Sequence, residues 1–180
     1  LLSSWEGNEL RLPPPIVTLA RDLVEAIGRE GDLRSACDSL AADPPSGRHR
    51  FEFAPGVECV LIPTATLPPA THTNCYVLGE RGGQRVVVDA AAKTDEAMEE
   101  LALKIDEIRS DGSSIIATIF THRHPDHVGD LGRISEIYQA PIWASQETLA
   151  SIAPCDTDRV LSEGNSFILE GPSGGVRWEV

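Results

Sequence analysis

The sequence predicts an α/β protein, with layers built on a sheet and a short helical extension in front. Beyond residue 50, short β-branched runs alternate with windows of helical periodicity, which is typical of sheets covered by helices. Before residue 42 the periodicity is helical only, and segment 42–50 is rich in Pro and Gly without periodicity. We therefore expect an extension (1–41), a linker (42–50) and a domain (51–180).

The extension is predicted to hold two helices. Prolines at 13–15 are compatible with a helix start. Apolar residues then recur at helical spacing: Ile16, Leu19, Leu23 and Ile27. We expect one helix over about 15–29 and a shorter one over about 33–41.

The first part of the domain predicts strands, a hairpin and one long helix. "FEFAP" and "VECVLIP" are typical strands, and "TNCYVLGERGGQRVVVDA" is typical of a hairpin whose "RGG" supplies the positive φ angles of the turn. In the next segment Thr94 or Asp95 can cap a helix that ends at Gly112. Its buried face is predicted by Met98, Leu101, Ile105 and Ile108.

The second part predicts further alternation. The strand 114–120 is followed by a histidine-rich loop and a helix over about 129–139. Then come a strand at "PIWA", a helix at "SQETLASIA", and strands near "SFILE" and "VRWEV". We expect the strands to form one sheet.

Composition restricts the class of partner. The net charge of −13 disfavours broad binding to nucleic acid, and no segment is apolar enough to span a membrane or to serve as a signal peptide. A cytoplasmic protein that acts on a small molecule is therefore the expectation. The cysteines Cys37, Cys59, Cys75 and Cys155 form no C-x-x-C pair, which favours reduced, mostly packed thiols.

The loop "THRHPDHVGD" carries the chemistry. In an extended segment His122 and His124 point the same way, so both imidazoles can bind one metal at nitrogen–metal distances of ~2.0–2.1 Å. Pro125 ends the strand register, and Asp126 and His127 follow where they can hold a neighbouring metal. These ligands suit zinc, iron or manganese better than calcium or magnesium. One or two zinc ions are the first expectation.

This loop resembles the H-x-H-x-D-H signature of the metallo-β-lactamase superfamily, and the resemblance covers about residues 51–180. The hairpin up to Asp89 is similar to the family's entry hairpin, and "LSEGNSFILEG" is similar to the turn before its next metal-ligand loop. The implied fold is the first half of an αββα sandwich. No histidine follows His127, so the remaining ligands and the second half of the sandwich are expected beyond Val180.

The resemblance also implies residue roles. His122 and His124 bind the first metal, Asp126 and His127 the second, and a metal-bound hydroxide oriented by Asp126 attacks the substrate. Asp89 holds a ligand imidazole in the correct tautomer; the alternative is a structural aspartate that bonds backbone amides.

Two features depart from or extend this resemblance. The family commonly has glycine soon after that aspartate, whereas this chain has alanine at 90–92, so we expect an altered backbone approach to the metals. The front segment "RLPPPIVTLARDLVEAI" is similar to the tail of some NUDIX-type domains, without the NUDIX box; a simple helical extension is the alternative.

The resemblance to this superfamily implies three candidate functions. The first is a metal-dependent hydrolase of a small thioester or phosphodiester. The second is a mononuclear iron dioxygenase that acts on persulfides. A flavin-linked diiron reductase fits less well, because the reductase branch of the superfamily typically has a carboxylate at the position of His124. The third is a non-catalytic binding module of the same fold. The 180-residue chain alone is expected to be inactive and to leave one face of its sheet without a second sheet to cover it.

Overall fold

The computed structural model describes residues 1–7, 9–42, 51–152 and 157–180. These fall into two compact units, Leu1–Glu58 and Cys59–Val180. The predicted linker lies almost entirely outside the described residues, as does Cys155. No helix among the described residues is long and apolar enough to cross a membrane.

The first unit is a small helical assembly with one strand. Its elements are α1 (Leu2–Glu6), α2 (Pro14–Glu30), α3 (Leu33–Ala42) and β1 (Phe51–Ala54). Its buried apolar residues are Trp5, Val17, Ala26 and Ala36. Arg21 stacks over the Trp5 ring at 5.3 Å and pairs with the buried Glu52, so one side chain links α1, α2 and β1. Both predicted helices are present, but Ile16 and Leu19 on the predicted apolar face of α2 are exposed.

The second unit contains a sheet with helices between its strands. Its elements, including a first strand that begins two residues before the unit, are β2 (Val57–Pro63), β3 (His72–Leu78), β4 (Gln84–Val88), α4 (Asp95–Ser110), β5 (Ser114–Phe120), α5 (Pro125–Val128), α6 (Leu131–Ile137), β6 (Ile142–Ala144), α7 (Gln146–Leu149), β7 (Thr157–Val160), β8 (Ser166–Gly171) and β9 (Gly174–Glu179). The strands β2 to β7 lie in chain order. The pair β3–β4 is antiparallel, and β4–β5, β5–β6 and β6–β7 are parallel. The α/β class is thus confirmed.

Helix α4 covers one face of this sheet. Thr94 caps it by accepting a hydrogen bond from the Ala97 amide, and the acidic first turn suits the positive end of the helix dipole. Its predicted apolar face is buried. Together with side chains of β3, β4 and α6 it forms a core that includes Val77, Val87, Leu101, Ile105, Ile108 and Ile134.

The opposite face is partly covered by a second sheet, which corrects the expectation of a single sheet. Strands β8 and β9 pair only with each other among the described strands. Phe167 and Leu169 on β8 pack against Val86, Ala117 and Trp143 of the main sheet. The Ser173 amide and hydroxyl donate to Glu80 in the β3–β4 turn, at 2.9 and 2.6 Å. The prediction erred because strand patterns do not say which sheet a strand joins.

Short elements were the least predictable. The helix expected over about 129–139 is the shorter α6, and the unpredicted α5 precedes it, separated from it by Gly129 with φ 73° and ψ −154°. The helix predicted at 145–153 is the four-residue α7, and α1 and β7 were not predicted. Of the cysteines, Cys59 and Cys75 are buried, whereas Cys37 is exposed rather than packed.

Candidate metal centre

The site lies where two parallel strands end side by side. Val88 of β4 pairs with Ile119 of β5, so Asp89 and Thr121 leave the sheet at the same edge. The Asp89 amide still donates to the Ile119 carbonyl at 2.9 Å. Carboxyl ends of parallel strands are a common place for functional side chains, because the loops that follow them converge there.

Asp89 organises the loop after β5. Its carboxylate is 4% exposed and accepts three hydrogen bonds: from the Thr121 amide at 2.8 Å, from the Thr121 hydroxyl at 2.6 Å and from His127 Nδ1 at 2.9 Å. A histidine that donates from Nδ1 to a carboxylate keeps its Nε2 lone pair for a metal. Both the imidazole contact and the backbone contact predicted for Asp89 are therefore found in one residue.

His122 and His124 converge. His122 Nε2 and His124 Nδ1 lie 3.1 Å apart, with the rings edge to face and 4.6 Å between their centroids. Two nitrogens bound to one zinc at ~2.0–2.1 Å in tetrahedral geometry are about 3.3 Å apart. The observed separation therefore fits two ligands of one metal.

His127 lies against His122, and His124 is not part of the group of ligand atoms that these two residues form with Asp89. The His127 ring centroid is 4.1 Å from that of His122, and ligand atoms of Asp89, His122 and His127 all lie within 4.8 Å of one another. Burial, followed by the charges of His127 and His124, holds the pKa of His122 below its usual value, so this imidazole favours the neutral form that binds metal.

The Asp126 carboxylate is not part of the group of ligand atoms formed by Asp89, His122 and His127. A hydrogen bond from Thr66 holds the pKa of Asp126 below its usual value and favours the ionised carboxylate. The metal-binding roles of Asp126, His122, His124 and His127 stay predictions.

The backbone around Asp89 is unusual. Asp89 and Ala91 have positive φ angles of 53° and 59°, although neither is glycine. The Ala91 amide donates to the His127 carbonyl at 2.9 Å, and the Asp130 amide donates to the Ala92 carbonyl at 2.8 Å. A Cβ on Gly129 would lie 2.8 Å from the Ala91 carbonyl carbon. The backbone of Ala91 and Ala92 therefore approaches the metal loop closely although no glycine follows Asp89. The glycine that permits this close approach is Gly129, in the metal loop itself.

Two threonines were missed by the sequence analysis. Thr121 bonds Asp89 twice, and the buried Thr73 donates its hydroxyl to the Asp126 carbonyl at 2.7 Å. Thr121 stands directly before the H-x-H pair and was open to detection as a hydroxyl at the end of a strand. Thr73 lies 53 residues from Asp126, and no local pattern announces such a contact.

Comparison with known proteins gives a family model, described as "Metallo-beta-lactamase superfamily", that matches residues 68–179. An uncharacterized protein of Aquifex aeolicus is 26% identical over 108 residues, covering 51% of this chain and 47% of that protein. A hydroxyacylglutathione hydrolase of Bdellovibrio bacteriovorus is 32% identical over 62 residues, covering 34% of this chain and 24% of that protein. The chain thus spans about half the length, or less, of these relatives.

Solved structures show the same similarity in three dimensions. A metallo-β-lactamase from Pontibacter korlensis aligns with a TM-score of 0.52 at 15% identity, covering 68% of this chain and 58% of that one. A β-lactamase domain protein from Burkholderia ambifaria aligns with a TM-score of 0.49 at 23% identity, covering 71% and 48%. At 15% identity the similarity to the Pontibacter korlensis protein concerns the fold alone.

Proposed function

The chain belongs to the metallo-β-lactamase superfamily, and from that premise we propose that it carries the metal-binding loop of a metal-dependent hydrolase. The observation that carries the proposal is the 3.1 Å approach of His122 Nε2 to His124 Nδ1, with His127 oriented beside His122 by Asp89. Since the chain spans about half the length of its relatives, the activity is proposed for the complete protein that its gene encodes.

The donor set fits a divalent metal such as zinc. His122 and His124 would hold one ion, and Asp126 and His127 a second, while Asp89 keeps His127 in the tautomer whose Nε2 is free. A metal in this site lowers the pKa of a coordinated water to about 7 and so supplies a nucleophile at neutral pH. The Asp126 carboxylate, whose ionised form is favoured by the hydrogen bond from Thr66, would accept a hydrogen bond from such a water.

A small thioester is the proposed substrate, with a small phosphodiester as the second choice. The Bdellovibrio relative is named for the hydrolysis of an acylglutathione, which is a thioester. The net charge of −13 opposes a polyanionic substrate such as RNA.

The test measures zinc and turnover in the same samples. The complete protein is equilibrated with zinc, freed of excess metal and analysed for bound zinc. It is then assayed with an acylglutathione and with bis(4-nitrophenyl) phosphate. His122→Ala should lower zinc affinity and turnover at least about tenfold. His72→Ala is the matched control, because His72 is exposed and its Nδ1 lies 2.8 Å from the Thr71 hydroxyl, outside the metal loop.

Each alternative has a distinct result. One iron per chain and no zinc in the protein as purified, with oxygen uptake in the presence of a persulfide, would replace the hydrolase with the dioxygenase. A complete protein that retains no metal would leave the binding module. Equal turnover by His122→Ala and His72→Ala would refute the assignment of the loop.

A further inference from the structure

Helix α5 is too short to supply hydrogen-bond partners for all of its own backbone groups. It has four residues, and no side chain caps its N-terminus at His124. The amide that would bond the Asp126 carbonyl in a longer helix, that of Asp130, donates instead to Ala92 at 2.8 Å. The Asp126 carbonyl therefore needs a partner from outside the helix.

Thr73 is that partner. Its hydroxyl donates to the Asp126 carbonyl at 2.7 Å and lies 2.8 Å from the Thr64 hydroxyl. Thr73 is 5% exposed on β3, so water does not compete freely for this carbonyl. The Thr64 hydroxyl can donate to Thr73, which leaves the Thr73 hydrogen directed at Asp126.

The segment that joins β2 to β3 also contacts the Asp126 side chain. Thr66, between β2 and β3, bonds the carboxylate. Asp126 is thus held by the carbonyl through Thr73 and by the carboxylate through Thr66. Both contacts come from the segment 64–73, which lies more than fifty residues earlier in the chain.

We propose that Thr73 is a positioning residue for metal binding, which rests on the function proposed above. Its hydroxyl fixes the main chain of α5 and so sets where Asp126 and His127 stand relative to the His122–His124 pair. Asp89 orients the His127 ring, and Thr73 fixes the main chain of the helix that carries this ring. The structure thus assigns Thr73 an effect on metal affinity without direct contact to the metal.

The test compares variants that remove one buried hydroxyl each. Thr73→Val removes the bond to Asp126, Thr73→Ser restores it, and Thr118→Val is the matched control. Thr118 is 4% exposed in the same sheet, and its hydroxyl lies 2.8 Å from that of Tyr138 rather than against α5. Zinc dissociation constants are measured by chelator competition on the complete protein, and unfolding by urea is measured without metal.

We expect Thr73→Val to weaken zinc binding about 10- to 100-fold, the usual range for residues that orient metal ligands. Thr73→Ser and Thr118→Val should stay within about threefold of the unmodified protein, even where Thr118→Val unfolds at lower urea. If Thr73→Val does not fold, Thr73→Ala, which removes the same hydroxyl, carries the test with Thr118→Ala as its control: at least about threefold weaker binding than the control supports the proposal, and equal binding overturns it.

Two failures are distinguishable. An unmodified protein that retains no zinc refutes the proposed function itself. Zinc binding by the unmodified protein, with Thr73→Val no weaker than Thr118→Val, refutes the positioning role alone.

Discussion

Gly129→Ala should disrupt the close packing of the metal loop against the backbone of Ala91 and Ala92. Gly129 has φ 73° and ψ −154°, a region almost exclusive to glycine. A Cβ there would lie 2.8 Å from both the Ala91 carbonyl carbon and the Ala92 nitrogen, and closer still to the Ala92 oxygen. All three are backbone atoms, so no side chain can rotate away to relieve the overlap.

The expected cost combines two effects. Placing alanine in this backbone region costs about 1–3 kcal/mol. Forcing the 91–92 segment aside adds about 1–3 kcal/mol, as overpacking does elsewhere, and weakens the bonds from Ala91 to His127 and from Asp130 to Ala92. The sum of roughly 2–6 kcal/mol is a large share of the 5–15 kcal/mol typical of a whole domain.

Urea unfolding followed by circular dichroism measures this cost, with Gly112→Ala as the matched control. Gly112 also has a positive φ, 83°, but a Cβ there meets nothing within 4 Å. Its alanine variant should lose only about 1–2 kcal/mol, the conformational cost alone. Equal destabilisation by the two variants would contradict the close approach of Gly129 to the Ala91–Ala92 backbone.

Three further predictions concern the same loops. Asp89→Asn should weaken zinc binding about 10- to 100-fold in chelator competition, because an amide cannot accept all three hydrogen bonds from Thr121 and His127. Ala91→Gly should change the free energy of unfolding by less than about 1 kcal/mol in urea titrations, since relief of the positive φ offsets the loss of a buried methyl group. The pKa of His122 is lower in the folded state than its ordinary value of 6.5, so the unfolded chain takes up a proton on this residue more readily. The stabilising effect of His122 in the metal-free protein is therefore present above pH 6.5 and is lost as the pH falls below that value. His122→Gln should reduce this change in the free energy of unfolding when urea titrations are compared between pH 7 and 5.

The sequence predicted the elements that have strong local signals. The strand 114–120 coincides with β5, and Thr94 caps α4 as expected, since both depend on patterns within a few residues. The H-x-H spacing likewise predicted the convergence of His122 and His124, because that geometry follows from an extended backbone.

What local patterns missed depends on distant partners. The contact of Thr73 with Asp126 and the packing of β8 over the main sheet join segments far apart in the chain. The positive φ angle of Ala91 was equally unpredictable from the sequence, because it is imposed by the hydrogen bond to His127 and not by the preference of alanine. The NUDIX-like resemblance of the front segment and the roles of the loop residues stay predictions.

The order of the strands has a consequence for how the protein is made. Because β2 to β7 follow one another in the sheet as they do in the chain, each strand can add to the edge left by the one before as it leaves the ribosome. Asp89, Thr121 and His127 lie within 39 consecutive residues, so their bonds can form before β6 to β9 have all left the ribosome. We expect a released chain that ends after α6 to protect the Thr121 amide from hydrogen exchange already, with the later strands stabilising a loop that is formed before them.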